Sequence, residues 1–420
     1  MAPNGGAKIS NNLYSIQTKF SDTKKNTLAP LVSAIIKSMK TIRDIEYFEG
    51  ARILMRVDFN VPIKGGVITD DFRIRVVVPT IKFLQSKGAK VILISHIETN
   101  EGENISLKPV ADHLNKLGVA TIFIQNLKNA HEFIENELSN GGVALLENLR
   151  FSEGEKKNDT KFAKELASLG DIFVNEAFPC SHRAHASIVG ISRFLPSYAG
   201  FQFEKEVMNL SRAFNPARPF FFILGGAKFE TKIPLLEKFM NITDSIFIGG
   251  ALASDFFKVK GYEIGQSLVS KGNIDLTAYL NNQKVTIPVD VIDSKNNIWQ
   301  ADRFPANEKI MDDGPKTLEI LKEKINQAKF ILWNGPLGMY ENGFKSSTLE
   351  LAKMLGEASS KNGAVSIVGG GDTVAAIAEL GISDQFTFVS TAGGAMLDFL
   401  AKGTLPGIVA LDNHFRTSRF

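Results

Sequence analysis

One cysteine, Cys180, occurs in 420 residues, so an internal disulfide is excluded and a reducing compartment fits. Long apolar runs are missing too. Near the start the longest is the stretch 28–36, too short to cross a bilayer and followed by Lys37. No Gly-Lys dipeptide occurs, which removes a Walker P-loop. No G-x-G-x-x-G follows a strand-like run, which counts against a dinucleotide-dependent dehydrogenase, and the absence of G-x-S-x-G counts against a serine hydrolase elbow. Charge of one sign is scarce outside the start. The formal net charge is +3, and the first 40 residues, with six lysines and one acid, Asp22, contribute +5, which leaves −2 for the other 380. A near-neutral body argues against a nucleic-acid partner. The segment 1–40, rich in Ser, Asn and Lys with no arginine before Arg43, reads as a disordered extension, with organelle targeting of an otherwise cytoplasmic protein as the other reading.

What is there is an alternation of apolar strand-like runs with helical patterns, which predicts α/β architecture with parallel sheets covered on both faces. At 420 residues, with 44% hydrophobic and 22% charged, two domains are expected. A helical stretch ending near Pro216 and Pro219 suits the connector between them.

The two halves end their strands differently. In the first, the runs stop on charged or amide residues: Arg-Val-Asp-Phe-Asn at 56–60, Ser95-His96, Glu147-Asn148 with Arg150, and Asn175-Glu176. Arg56, Asp58 and Asn60 alternate and are expected on one face of one strand. Arg73, Arg75, His96, Arg150, His182, Arg183 and His185 add further polar ends. Arginines converging with histidines suit a phosphate plus a carboxylate, because guanidinium forks bind both bidentately. Taken singly, each arginine reads as a surface residue or an internal ion pair, and their collection at strand ends is what carries the functional reading. His182 and His185 also have metal-ligand spacing, but no carboxylate partner is evident beside them in sequence.

In the second half the runs stop on glycine: Gly225-Gly226, Gly249-Gly250, Asn334-Gly335-Pro336, Gly369-Gly370-Gly371 and Gly393-Gly394. Such strand–glycine–helix junctions let backbone amides approach phosphates. Lys228 and Lys232 share a helix face at one junction, and Asp372 at another is a natural Mg²⁺ ligand. A single glycine loop is more often tight packing, whereas three junctions with two lysines point to a nucleotide site.

The motifs RVDFNVP, ITDDFRIR, LLENLRF, HRAHAS, LGGAK, WNGP, GGGDT and STAGGA with LPG, in this order over residues 41–411, resemble the phosphoglycerate kinase family. The resemblance implies two doubly wound parallel-sheet domains joined by a hinge helix: an extension at 1–40, a triose-phosphate domain at 41–205, a nucleotide domain at 206–404, and a segment at 405–420 returning to the first domain. It implies transfer of the acyl phosphate of 1,3-bisphosphoglycerate to Mg-ADP, giving 3-phosphoglycerate and ATP, by a monomer with no membrane or nucleic-acid partner. Residue by residue, Arg56, Asp58, Asn60, Arg73, His96, Arg150 and Arg183 match the triose-binding set. Gly226, Lys228, Lys232, Gly249, Gly250, Asn334, Pro336, Glu341, Gly370, Gly371, Asp372 and Thr373 match the nucleotide set, with Asp372 at the metal. Arg73, Lys228, Gly371 and Gly394 match positions around the migrating phosphoryl group.

The chain also departs from the family pattern. Thr99 stands where a substrate-binding arginine is expected, and Glu98 adds a negative charge beside it. Thr231 replaces an aspartate, Ala251 and Ala392 replace glycines, and Pro179-Cys180-Ser181 replaces Gly-Thr-Ala. A methyl at 251 or 392 is expected to crowd its site if φ is positive there. The second reading is therefore a divergent member that binds nucleotide with weak or no catalysis.

Overall fold

The computed structural model describes residues 28–99, 101–227, 229–270 and 275–412, and for Thr231 the backbone alone. Two six-stranded, all-parallel sheets carry the structure. The first runs in the order 121–124, 143–146, 90–94, 52–56, 172–175, 197–199, and the second 285–286, 245–248, 220–224, 330–334, 365–369, 388–389. Their near-continuous apolar runs are what a sheet buried on both faces requires. Along Phe220–Leu224, residues 220, 222 and 224 enter one core while Phe221 and Ile223 enter the core on the other face. Ile53 and Met55 likewise separate from Leu54. Each such side chain, fully buried, stabilises by about 1.5–3 kcal/mol.

In both sheets the order reverses beside the first strand. In the second sheet the reversal lies between Phe220–Leu224 and Phe330–Asn334, and in the first between Arg52–Arg56 and Ile172–Asn175. Open parallel sheets bind ligands at the carboxyl ends of strands at such a reversal. The residues that follow are Asp58 and Glu176 in one sheet, and Gly225, Gly226, Gly335 and Pro336 in the other.

The connecting helix Phe201–Ser211 starts at Gly200, which has no capping side chain. Glu176 supplies the cap from the first sheet, accepting from Gln202 N at 3.0 Å and Phe203 N at 3.1 Å. Glu206, on the same helix, accepts from Thr391 N at 2.7 Å and Ser390 Oγ at 2.7 Å in the second half. Phe203, Val207 and Leu210 fill a core shared with Phe178 and Phe399.

Two features differ from the expectations, and a third concerns the chain's closing segment. Within the extension read as disordered, Leu28–Ser38 is a helix; its Val32 is buried in that shared core, against Gly403, because the run 28–36 is apolar on one side. Residues 1–27, including most of the candidate targeting segment, lie outside the described residues. The strand carrying Arg56 ends there, so Asp58 and Asn60 sit on the following loop rather than on one strand face; only Val57 N still reaches Ile94 O, at 3.1 Å. Finally, the closing helix Pro406–Leu411 bonds to the first half through Gly407 N and Ser181 O at 2.8 Å. Residues 413–420 lie outside the described residues. Among the described residues no helix is long and apolar enough to cross a membrane.

Candidate active site

Arg56 leaves its strand into a protein interior, 1% exposed. Its guanidinium donates to Ser187 Oγ at 2.8 Å, to His96 Nδ1 at 2.9 Å and to Val57 O. Ser187 in turn donates to the buried Glu155 at 2.6 Å. Most of the Arg56 donors are thus engaged by protein, and one of them orients His96. Because Nδ1 accepts from Arg56, the neutral ring carries its proton on Nε2. Burial first, then Arg56, Arg150 and Arg183, hold His96 well below the ordinary histidine range. Burial and the same arginines bring His185 down to about 4.

Asp58 pairs with Arg73 at 3.1 Å, and Arg73 also donates to Asn60 O at 3.0 Å. Arg150 is buried against Glu98, and Arg183 is exposed, its Nε on His182 Nε2 at 3.2 Å. Cys180 belongs to the same site: its thiol, the His96 ring and the Asp58 carboxylate place ligand atoms within 4.8 Å of one another. Metal binding there is opposed by Arg56, Arg73 and Arg183, all close enough to act on the thiol. Burial still pushes that thiol up to about 12, which makes it inert. An excess of guanidinium over carboxylate suits an anion.

The glycine ends of the second sheet interlock backbone to backbone. Gly225 N donates to Asn334 O at 2.9 Å and Gly226 N to Pro336 O at 2.8 Å. Gly250 has φ +60°, and a Cβ there would stand 2.7 Å from Gly226 N and Pro336 O, so no other residue fits. A pocket opens over this knot, lined by Gly226, Gly250, Pro336, Glu341 and Asp372, with Tyr340 on its rim. Gly249 lies behind it, its Cβ position facing Phe247, Asp313 and Leu337. Asn334 and Thr373 brace the loops: Asn334 Nδ2 donates to Gly369 O and Gly335 N donates to Thr373 Oγ1, each at 3.0 Å. Lys232 is buried and donates to Gly225 O. Lys228 lies outside the described residues. Ala251 and Ala392 do not have positive φ, so the methyls bring no backbone strain; among the described residues only Asn158 and Asn296 are non-glycine with positive φ.

A second cavity joins the halves. Arg73 and Asn60 line it from one side, and Gly370, Gly371 and Gly393 from the other. Gly371 and Gly393 have open space where a Cβ would be, and Gly394 looks toward His182 Nε2 at 3.8 Å. Two helices, Gly371–Leu380 and Gly394–Lys402, thus begin at this cleft, and helix N-termini favour anions.

The phosphoglycerate kinase family model matches residues 42–403. The chain belongs to the phosphoglycerate kinase family. A phosphoglycerate kinase of Dictyoglomus turgidum is 44% identical over 396 residues, covering 89% of this chain and 99% of that one. One from Borrelia garinii is 43% identical over 395 residues, covering 89% and 100%. Among solved structures, phosphoglycerate kinase from Coxiella burnetii superposes with TM-score 0.75 at 36% identity, covering 90% and 99%. The enzyme from Pyrococcus horikoshii superposes with TM-score 0.78 at 32% identity, covering 91% and 100%. A phosphoglycerate kinase uses a nucleotide substrate, which accords with the glycine-lined pocket. Sequence reasoning missed Glu155, Ser187 and Tyr340. Ser187 ends the HRAHAS motif and Tyr340 precedes Glu341, so adjacency was the available signal; nothing in sequence marked Glu155.

Proposed function

We propose that this chain transfers the acyl phosphate of 1,3-bisphosphoglycerate to ADP and, in reverse, phosphorylates the carboxylate of 3-phosphoglycerate with ATP. The observation that carries this is the shared cleft, with Arg73 and Asn60 opposite Gly370, Gly371 and Gly393. In the forward step the bond from phosphorus to the acyl oxygen breaks and one to the ADP β-phosphate oxygen forms. Such transfer asks the protein mainly for positioning and charge neutralisation. Residues 41–205 then serve as the triose unit, with Asp58, Asn60, Arg73, His96, Arg150 and Arg183 around the acid and Arg56 behind His96. Residues 206–404 serve as the nucleotide unit, residues 405–420 return to the triose unit, and the protein works as a monomer.

On the nucleotide side, Gly226, Gly250, Pro336 and Glu341 hold the base and ribose, with Gly249, Asn334 and Thr373 behind them. Lys228 and Lys232 meet the phosphates. Asp372, in the first turn of its helix and in the same pocket as Gly226, would hold Mg²⁺; one carboxylate completed by phosphate oxygens and water is a donor set that ion accepts. When bound, the ion neutralises phosphate charge. Arg73, Lys228 and the amides of Gly371 and Gly394 direct positive potential at the migrating group. Closure of the two halves excludes water that would hydrolyse the acyl phosphate.

The test is the ATP-dependent reaction with 3-phosphoglycerate, coupled to glyceraldehyde-3-phosphate dehydrogenase, with Arg73→Ala beside it. Turnover lost in the variant supports the assignment. Absence of turnover in the unsubstituted protein at millimolar substrates defeats it.

A further inference from the structure

Glu98 brings a negative charge to a cleft proposed to bind an anion, and its carboxylate pairs with the Arg150 guanidinium. The Arg150 side chain is only 3% exposed, and its Nε is buried without a hydrogen-bond partner. Arg183 and Arg56 press on it from nearby. A buried guanidinium with an unused donor in a cationic cluster has capacity for a further anion.

The backbone around Glu98 is pinned. Glu98 N donates to Asn60 Oδ1 at 3.0 Å. Asn148 Nδ2 donates to Ile97 O at 2.6 Å and to Ile105 O at 2.7 Å. Asn104 Nδ2 donates to Arg150 O at 3.0 Å, and Thr99 N to Glu103 O at 2.7 Å. These bonds hold the backbone of Glu98 in place and leave its side chain to move. That side chain is 23% exposed, so its carboxylate can turn to water, whereas Arg150 cannot leave without stranding a charge.

We infer that Glu98 is a built-in competitor for the Arg150 anion subsite: it holds the guanidinium when no substrate is bound and yields to an acidic group of the triose acid. This rests on the reading of the first cleft as the triose-acid site. An incoming anion must outcompete a tethered carboxylate, so weak monoanions are rejected while a multiply charged acid still binds.

The experiment titrates the full chain, Glu98→Gln and Glu98→Asp calorimetrically with 3-phosphoglycerate and separately with inorganic sulfate, alongside steady-state kinetics. Glu98→Gln is expected to bind both anions about tenfold more tightly, the scale of one charge-assisted contact. Its KM for 3-phosphoglycerate falls, while kcat and the KM for Mg-ATP stay put. Glu98→Asp, which keeps the charge, stays close to the unsubstituted protein. Equal or weaker affinity for both anions in Glu98→Gln overturns the inference and makes Glu98 a positioning residue for Arg150. Tighter sulfate binding with no triose binding and no turnover in any form keeps the competitor and defeats the kinase reading. Turnover in the unsubstituted protein with sulfate affinity unmoved by the substitution does the reverse. Glu98→Gly takes the place of the glutamine variant should that one fail to fold.

Discussion

Glu176 links pH to stability through one helix end. Its carboxyl is buried and accepts from Gln202 N, Phe203 N and the Thr80 hydroxyl. Burial outweighs these donors and raises it from 4.5 to about 7. A raised carboxyl contributes stability that is fully present below its unfolded value and is lost as pH rises through the folded one. At ~1.4 kcal/mol per pH unit, the gap between 4.5 and about 7 amounts to about 3 kcal/mol lost between about pH 4 and pH 9. Glu176→Gln cannot ionise, but it offers one acceptor oxygen where two are used. One helix N–H or the Thr80 hydroxyl then goes unpaired, at about 1–3 kcal/mol. The unsubstituted protein should therefore be the more stable near pH 4, and that advantage should vanish or reverse near pH 9. Urea unfolding of both proteins across this range isolates Glu176, since every other titrating group is common to both. Midpoints that run parallel with pH would refute the reasoning.

The remaining expectations concern the two ligand sides. Gly335→Ala places a methyl at φ +97° against Gly225 O and 2.6 Å from Lys232 Nζ, so it should raise the KM for Mg-ATP at least tenfold while 3-phosphoglycerate affinity by calorimetry stays unchanged. Arg56→Lys keeps the charge but removes the fork that spans Ser187 and His96, and should cost about 1.5–3 kcal/mol in chemical denaturation, the scale of a lost hydrogen bond to a charged group. Because His96 and His185 are both held below 6.5, unfolding takes up protons in acid and stability should fall as pH drops below that value. Replacing His185 by Gln should flatten that arm of the thermal-midpoint profile.

The fold class and most of the residues that gather at the two clefts are legible in the amino-acid order alone. Continuous apolar runs such as Phe220–Leu224 leave little choice but a sheet buried on both faces, and a strand followed by Gly-Gly leaves room only for backbone. These are local properties of a few consecutive residues. What each polar residue does once gathered was decided by tertiary structure, because it depends on neighbours far along the chain. Arg56 reads as a ligand residue, and its bonds to Ser187 and His96, which lie 131 and 40 residues away, appear only in the fold. Asn334 and Thr373 read as nucleotide contacts, and the fold shows that they also tie one loop to the next. The helix Leu28–Ser38 follows the same rule: its composition resembles a tail, and only the shared core that receives Val32 makes it structure. Glu98 is the sharpest case. Its charge was visible in sequence, but its partner was not, since pairing with Arg150 arises where the ends of two strands meet. Charge and hydropathy are written residue by residue, whereas burial and pairing exist only between segments that the fold brings together.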